Sequence, residues 1–219
     1  MTVREDLPDF ASVCAVVLAG GRASRMGGLD KGLQNFQGRT LTAIAVDRLR
    51  QQTAGAPSHI GISANRNLQN YTTLGLPVWT DTTPDFAGPL AGFLTALRQC
   101  ESTHEFLLTV PCDSPRFPLD LLERLLQAFV DSNVEIAMAM APDAQANHAQ
   151  TLYPQPVFCL LRTGLADSLQ AFLDLGGRKI GAWAATHRLV RVAFNRVEDD
   201  LRAFANANTL EDLQKLEHP

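Results

Sequence analysis

The feature that most restricts the fold of this chain is an apolar run, Val13 to Leu18, that leads directly into a glycine-rich loop. A run of apolar and β-branched residues of this kind predicts a buried strand. Glycines allow backbone N–H groups to approach a ligand closely, and clustered N–H donors form a concavity that suits an anion. The loop glycines are Gly20, Gly21, Gly27, Gly28 and Gly32.

Three basic side chains lie among these glycines and supply the positive charge that phosphates need: Arg22, Arg25 and Lys31. The loop therefore predicts a triphosphate site. A P-loop would need Gly-Lys followed by Ser or Thr, but Lys31 lies between Asp30 and Gly32. A dinucleotide fingerprint would need Gly-x-Gly, which occurs nowhere in the sequence. The alternative is a plain strand-to-helix turn with solvated basic residues.

Composition narrows the class of protein. The 219 residues, 46% of them hydrophobic, suit a single α/β domain spanning residues 1–219. The formal net charge of −4 gives no electrostatic reason to expect nucleic acid as a partner, so a local basic site must hold any anionic ligand. Neither a signal peptide at Met1–Phe10 nor a membrane-length apolar run is present, which predicts a cytoplasmic protein without a membrane partner.

Strand-like and helix-like segments alternate along the chain, which predicts a mainly parallel sheet with helices on both faces, a three-layer Rossmann-like α/β fold. The predicted strands are Val13–Leu18, His59–Ser63, Val78–Thr80, Phe106–Val110, Glu135–Met140, Pro156–Leu161 and Leu189–Phe194. Apolar stripes at helical spacing begin at Leu41, Leu90 and Leu119. The stretch from Ala141 to Gln150 is predicted to be an exposed loop, and Asn208 or Thr209 to cap a terminal helix.

In an open α/β sheet, ligands bind outside the carboxyl ends of the strands, so the loops after Leu18, Ser63, Thr80 and Val110 matter most. Asp113 follows the last of these strands, in Val-Pro-Cys-Asp-Ser-Pro. One carboxylate beside a nucleotide is enough to hold Mg²⁺, which prefers carboxylate, phosphate and water oxygens. The alternative for Asp113 is ordinary turn chemistry.

Asp81 ends a second predicted strand, ahead of Gly88-Pro-Leu-Ala-Gly92. Its carboxylate is suited to accept hydrogen bonds from guanine N1 and N2 or from a ribose hydroxyl, and the two glycines would let backbone approach the ligand. The alternative is an N-cap aspartate before a Gly-Pro helix start.

The four cysteines have no metal-ligand spacing, and the five histidines form no zinc pattern. Cys14 and Cys159 lie in predicted strands and are expected to be small buried hydrophobes. Nothing in the sequence indicates that Cys112 is a nucleophile.

Residues 18–33 read Leu-Ala-Gly-Gly-x-x-x-Arg-Met-Gly-Gly-x-Asp-Lys-Gly-Leu, which resembles the signature of molybdenum cofactor guanylyltransferases, bacterial members of the nucleotidyltransferase superfamily. The resemblance extends to Pro-Cys-Asp-x-Pro around Asp113 and to Gly-Pro-Leu-Ala-Gly, and more weakly to the C-terminal half. One departure is Ser63, where the family usually has an asparagine that contacts the nucleotide. The resemblance implies a fold like that of the nucleotide-diphospho-sugar transferases.

The resemblance also implies roles for particular residues. Arg25, Lys31 and Asp113 would be catalytic, with Asp113 also holding Mg²⁺. Residues that would bind the nucleotide are Leu18, Ala19, Gly20, Gly21, Lys31, Ser63, Asp81, Gly88 and Asp113. Residues that resemble family motifs facing the pterin are Arg178, Lys179, Asn206 and Asn208.

The resemblance implies transfer of GMP from GTP to Mo-molybdopterin, with molybdoenzymes or their chaperones as further partners. The residues themselves support nucleotidyl transfer as the type of reaction. Residues from about 12 to 115 would bind the nucleotide, and residues from about 116 to 217 would face the acceptor. The nearest alternatives are a molybdopterin cytidylyltransferase and a sugar-phosphate nucleotidyltransferase. An alternative from another class is a nucleotide-binding module without turnover.

Overall fold

The computed structural model of the chain describes residues 7–19, 30–81, 88–142, 151–207 and 209–217. The strands are β1 (Val13–Leu18), β2 (Asn35–Phe36), β3 (Arg39–Thr40), β4 (His59–Ser63), β5 (Val78–Trp79), β6 (Phe106–Pro111), β7 (Ile136–Pro142), β8 (Leu152–Arg162) and β9 (Leu189–Ala193). The helices are α1 (Leu41–Arg50), α2 (Leu68–Thr72), α3 (Pro89–Cys100), α4 (Leu121–Leu126), α5 (Ala166–Asp174), α6 (Ile180–Ala184) and α7 (Leu210–Glu217).

Seven strands form one sheet in the order β5-β4-β1-β6-β8-β7-β9, and β2 pairs with β3 in a small hairpin. The pairs β4–β5, β1–β4, β1–β6 and β7–β9 are parallel, whereas β8 runs antiparallel to both of its neighbours. The predicted α/β fold with a mainly parallel sheet is therefore confirmed.

The central strand β1 is buried on both faces, as its unbroken apolar sequence predicts. Because side chains alternate along a strand, Val13 and Val17 contribute to the cluster that contains α1 and α4, whereas Cys14 and Val16 contribute to the cluster that contains α3, α5 and α6. The sheet is thus the middle layer of three. Among the helices that the structure describes, none has the length and apolar character needed to span a membrane.

The helices begin where the sequence offers cap residues. Thr40 caps α1 by accepting a hydrogen bond from the Ala43 N–H at 3.3 Å. Thr209 caps α7, because its Oγ1 accepts from the Asp212 N–H at 3.0 Å while the Asp212 carboxylate accepts from the Thr209 N–H at 2.9 Å. α7 packs through Leu213 on the β2–β3 hairpin.

Two sequence expectations about local structure are wrong. Ala141 and Pro142 lie in β7, buried, and not in a loop, because β7 and β8 pair as a long hairpin as far as Pro142 and Leu152. The remaining loop residues, 143–150, lie outside the described residues. Leu119 precedes α4 instead of belonging to it. Cys14 is buried as expected, but it forms a disulfide with Cys100.

Candidate active site

The register of the sheet aligns four strand ends at one edge. Leu18, the last residue of β1, lies opposite Ser63 of β4 on one side and Pro111 of β6 on the other, and Ser63 lies opposite Trp79 of β5. The loops that follow these strands therefore open side by side at the carboxyl edge of the parallel strands. This is the position at which ligands bind to open α/β sheets.

A cation and a carboxylate meet at this edge. The Lys31 Nζ lies 2.8 Å from the Asp113 Oδ2, although the two residues are 82 positions apart in the sequence. Their side chains remain 27% and 18% exposed, so both groups are in reach of a ligand. The structure thus brings together Lys31 and Asp113, which the sequence places in two separate loops at this edge.

Asp30 fixes the short 3-10 turn, Lys31–Leu33, that carries the lysine. Its carboxylate accepts hydrogen bonds from the Gly32 N–H at 3.2 Å, from Asn67 Nδ2 at 3.0 Å and from the Tyr71 hydroxyl at 2.6 Å. Sequence reasoning missed this role. The signal was an aspartate directly before the turn, which is the residue type preferred at an N-cap.

Tyr71 lies beneath the turn and is fully buried. Burial, together with the hydrogen bond to Asp30, raises the pKa of the Tyr71 hydroxyl well above its usual range, so the group stays protonated and donates. There is no room for a side chain at Gly32, because a Cβ there would lie 2.5 Å from the Tyr71 oxygen and 2.5 Å from Thr42 Oγ1. The Thr42 hydroxyl in turn donates to the Gly32 carbonyl at 2.9 Å. The turn that carries Lys31 is therefore held from several sides.

Asp81 is bound to the neighbouring loop after β4. Its carboxylate accepts from Asn65 Nδ2 at 2.7 Å and from Thr95 Oγ1 at 3.4 Å, while its own N–H donates to Asn65 Oδ1 at 2.8 Å. The N-cap of α3 is Gly88, so the alternative interpretation of Asp81 as a helix cap does not apply. The arrangement holds a half-buried carboxylate at the end of β5.

The two glycines near α3 have different roles. Gly88 is exposed with φ +142°, a conformation that L side chains rarely adopt, and no described atom lies within 4 Å of where its Cβ would be. Gly92 instead faces protein, since a Cβ there would lie 2.8 Å from both Leu18 Cδ2 and Ser63 Oγ. The expectation that Gly92 exposes backbone to a ligand is therefore wrong: it allows α3 to pack closely on β1 and β4.

Ser63 is only 3% exposed and lies under α3 at Gly92. Its carbonyl accepts a hydrogen bond from the Ala19 N–H at 2.9 Å, which fixes the backbone at the start of the glycine-rich loop. A direct contact between the Ser63 side chain and a nucleotide stays a prediction.

The C-terminal segment contacts the Asp113 loop. The Ala207 N–H donates to the Asp113 carbonyl at 2.8 Å, and the buried Ser114 hydroxyl donates to Asn206 Oδ1 at 2.5 Å. Asn206 is thus brought to the predicted metal-binding loop. Burial raises the pKa of the Cys112 thiol, so the group stays protonated, which agrees with the absence of a nucleophile signal in the sequence.

Arg178 and Lys179 lie in the exposed turn between α5 and α6. Arg178 Nη1 donates to the carbonyls of Leu173 at 3.1 Å and Gly177 at 2.7 Å, which caps the end of α5. A role for either residue in binding the acceptor stays a prediction. The predicted site residues Gly20, Gly21, Arg25 and Asn208 lie outside the described residues.

A mainly parallel sheet with a glycine-rich sequence after its central strand, and a Lys–Asp pair at the carboxyl edge, is the arrangement expected of a nucleotidyltransferase. The sequence matches the family described as MobA-like NTP transferase domain over residues 15–192. It is 51% identical to a molybdenum cofactor guanylyltransferase of Albidiferax ferrireducens over 206 residues, 94% of this chain and 96% of the relative. It is 51% identical to one of Bordetella petrii over 208 residues, 95% of this chain and 98% of the relative. The chain belongs to the molybdenum cofactor guanylyltransferase family.

Solved structures agree on the fold. Molybdopterin-guanine dinucleotide biosynthesis protein A from Archaeoglobus fulgidus has a TM-score of 0.70 at 20% identity, covering 94% of this chain and 96% of that chain. A 4-diphosphocytidyl-2C-methyl-D-erythritol synthase from Anaerococcus prevotii has a TM-score of 0.72 at 11% identity, covering 95% of this chain and 96% of that chain. Proteins whose names refer to different nucleotides share this architecture, so the fold alone does not specify the base.

Proposed function

We propose that this nucleotidyltransferase transfers GMP from GTP to the terminal phosphate of Mo-molybdopterin, forming Mo-molybdopterin guanine dinucleotide and pyrophosphate. The family membership supports the reaction. The observation in the structure that carries the proposal is the Lys31–Asp113 pair, 2.8 Å apart at the carboxyl edge of the sheet. We place the enzyme in the cytoplasm, where both substrates would be used.

The chemistry needs alignment and charge stabilisation more than proton transfer. The nucleophile is an oxygen of a phosphomonoester, whose second pKa of about 6 leaves it ionised near neutral pH. It attacks the α-phosphorus of GTP, a P–O bond forms, and pyrophosphate leaves with the electrons of the broken bond. No general base is needed, so the site has to hold two polyanions in line and neutralise charge.

Lys31, held by the turn that Asp30 caps, would neutralise charge on the α-phosphate and on the departing pyrophosphate, together with Arg25. The backbone of Leu18, Ala19, Gly20 and Gly21 would surround the phosphates and ribose. Asp81 after β5 and Ser63 at the end of the neighbouring strand β4 would hold the nucleoside, and Gly88 would leave space for it.

Asp113 fits the requirements of a Mg²⁺ ligand. Its carboxylate is a hard oxygen donor, remains partly exposed at the edge where phosphates would lie, and is held by its backbone and by Lys31. When bound, Mg²⁺ would supply Lewis-acid stabilisation of phosphate charge. The chain's own contribution is to keep this carboxylate beside the lysine before substrate arrives.

The acceptor side of the site would come from the C-terminal half, residues from about 116 to 217, opposite the nucleotide-binding residues from about 12 to 115. The turn at Arg178 and Lys179 would supply exposed positive charge for the phosphate of the pterin, and Asn206 lies in the segment that contacts the Asp113 loop. Asn208 would also face the acceptor. Molybdoenzymes or their chaperones would receive the product.

The experiment that tests the proposal incubates purified protein with Mg²⁺, molybdenum-loaded molybdopterin and either GTP or CTP. Pyrophosphate release and the dinucleotide product are measured together, and sugar phosphates replace the pterin in a parallel series. We expect product with GTP and molybdopterin only. Product with CTP would identify a cytidylyltransferase, and product with a sugar phosphate would identify a different acceptor. GTP binding without any product would indicate a non-catalytic module.

A further inference from the structure

A second cluster of side chains lies at the opposite, amino edge of the sheet. Cys14 is near the start of β1, Cys100 is the last residue of α3, and His104 precedes β6. One ligand atom from each of the three lies within 4.8 Å of the other two. Sequence reasoning found no metal-ligand spacing because Cys14 is far from the others in the chain. His104 lies four positions after Cys100, beyond the end of α3, and its N–H donates to the Cys100 carbonyl at 2.9 Å.

We propose that Cys14, Cys100 and His104, together with His59, form a zinc site when the two cysteines are reduced. Two thiolates and two imidazoles are the donor set of closed, tetrahedral structural zinc sites. The proposal rests on the short distances between the ligand atoms of Cys14, Cys100 and His104. His59 would be the fourth ligand.

Cys14 and Cys100 form a disulfide in this structure, with their Cα atoms 6.4 Å apart. The disulfide and the zinc site are alternative states of the same pair. In a reducing compartment, glutathione and thioredoxin keep such cysteines as thiols. On binding zinc, each thiol releases its proton to solvent and a Zn–S bond forms, with no change in oxidation state.

The hydrogen bonds around His104 prepare a ring nitrogen for a metal. The Thr103 hydroxyl donates to the Cys100 carbonyl at 3.3 Å, so its oxygen is available to accept from His104 Nδ1 at 2.7 Å. A proton on Nδ1 leaves the lone pair on Nε2. Metal-ligating histidines commonly have such a partner on their other nitrogen, which fixes the tautomer and the ring orientation.

His59 lies in position to be the fourth ligand. It is the register partner of Cys14 in the neighbouring parallel strand, so the two side chains leave the sheet on the same face. Its ring centroid lies 5.8 Å from that of His104. Two imidazoles on one tetrahedral zinc ion, at Zn–N distances of about 2.0–2.1 Å, would have centroids about 5 Å apart, which is close to the separation of this pair. His59 is exposed and the two cysteines are buried, which gives the ion a path from the histidine side.

The test uses the full chain, reduced and freed of metal, then incubated with Zn²⁺, desalted and analysed for zinc by mass spectrometry. We expect about one zinc per chain for the reduced wild-type protein and for Cys159→Ser, a matched control in which a buried cysteine of β8 is changed. Affinity should fall by at least about 100-fold in Cys100→Ser and His104→Ala, and by about 10-fold or more in His59→Ala. The wild-type protein oxidised to the disulfide should bind none.

Less than about half an equivalent of zinc in the reduced wild-type protein would overturn the proposal. The proposal would also be overturned if His104→Ala, which retains both cysteines, bound zinc as tightly as the wild-type protein. Unchanged affinity in His59→Ala would remove His59 from the site. Thermal unfolding of each metal-free variant separates loss of the site from loss of the fold. Because the cluster lies at the edge away from Lys31 and Asp113, these measurements do not depend on the nucleotidyltransferase assay.

Discussion

The ammonium group of Lys31 is held beside Asp113 by a turn that has its own capping residue. Lys31→Ala should lower kcat/KM for GTP by about 100-fold or more, because a preorganised charge at a developing anion is lost. The melting temperature should change little, since the side chain is partly exposed and outside the core. Lys215→Ala, which removes an exposed ion-paired lysine on α7, is the control and should leave turnover unchanged. Near-normal turnover of Lys31→Ala would remove the lysine from the mechanism.

Asp113 is assigned to hold the metal, and the isosteric change Asp113→Asn removes its charge without changing its size. We expect turnover to fall by about 100-fold or more and the Mg²⁺ concentration for half-maximal activity to rise. A Mg²⁺ titration of initial rates measures both effects. Asp167→Asn, at the opposite edge beside Arg98, should titrate like wild type. If Asp113→Asn keeps the wild-type Mg²⁺ dependence, another residue holds the metal.

Tyr71 acts through Asp30 and is therefore a positioning residue rather than a catalytic one. Tyr71→Phe removes the hydroxyl that donates to Asp30 at 2.6 Å and leaves a half-buried acceptor with one partner fewer. The free energy of unfolding should fall by about 1–3 kcal/mol, and kcat/KM for GTP should fall about ten-fold as the Lys31 turn loosens. Tyr153→Phe, at an exposed tyrosine, is the control. A loss of stability with unchanged kcat/KM would show that the contact supports the fold alone.

At the scale of elements, α3 packs on the sheet through a glycine. Gly92→Ala would place a Cβ 2.8 Å from Leu18 Cδ2 and from Ser63 Oγ, so we expect the free energy of unfolding to fall by about 1–3 kcal/mol. Gly181→Ala in α6 is the matched control, since no described atom lies within 4 Å of its Cβ position. That substitution should stabilise by about 0.5–1 kcal/mol through helix propensity. Urea unfolding measures both, and equal stability changes in the two variants would contradict the close packing of α3.

The sequence predicted the elements whose pattern is simple. Both β1 and β4 have the predicted bounds. β1 is apolar throughout, as expected of a strand in the middle of a parallel sheet, and β4 contains the buried residues Ile60 and Ile62 and ends before a polar loop. The start of β8 was missed, since its first residues are exposed or half-buried and their pairing with β7 is set by register rather than by apolar pattern.

Site residues that belong to a contiguous sequence motif could be predicted. Contacts between residues that are far apart in the chain could not. Lys31 and Asp113 each belong to a local motif, so both were predicted. The bonds from Tyr71 to Asp30 and from Ser114 to Asn206 join residues 41 and 92 positions apart, and nothing local in the sequence indicates either pair. The Cys14–Cys100–His104 cluster was missed for the same reason.

Across the whole molecule, the C-terminal segment ties the last helix to the active edge. Ser114 donates to Asn206, the Ala207 N–H donates to the Asp113 carbonyl, and Arg116 donates to the carbonyl of Leu216 in α7 at 2.5 Å. The segment that follows β9, the last strand of the sheet, thus contacts the loop that contains Asp113. This arrangement couples the position of the Asp113 loop to the packing of the C-terminal segment.

A double-mutant cycle at this contact tests the coupling. Ser114→Ala and Asn206→Ala should each lower kcat/KM, because either change releases the Asp113 loop, and the double variant should be little worse than the singles. The resulting interaction energy should be about 0.5–3 kcal/mol in kcat/KM, which is the range for residues in direct contact. The same cycle on Arg98 and Asp167, an exposed ion pair at the other edge, should give an interaction energy near zero in kcat/KM. Additive losses at Ser114 and Asn206 would show that Asn206 acts on the acceptor independently of the loop.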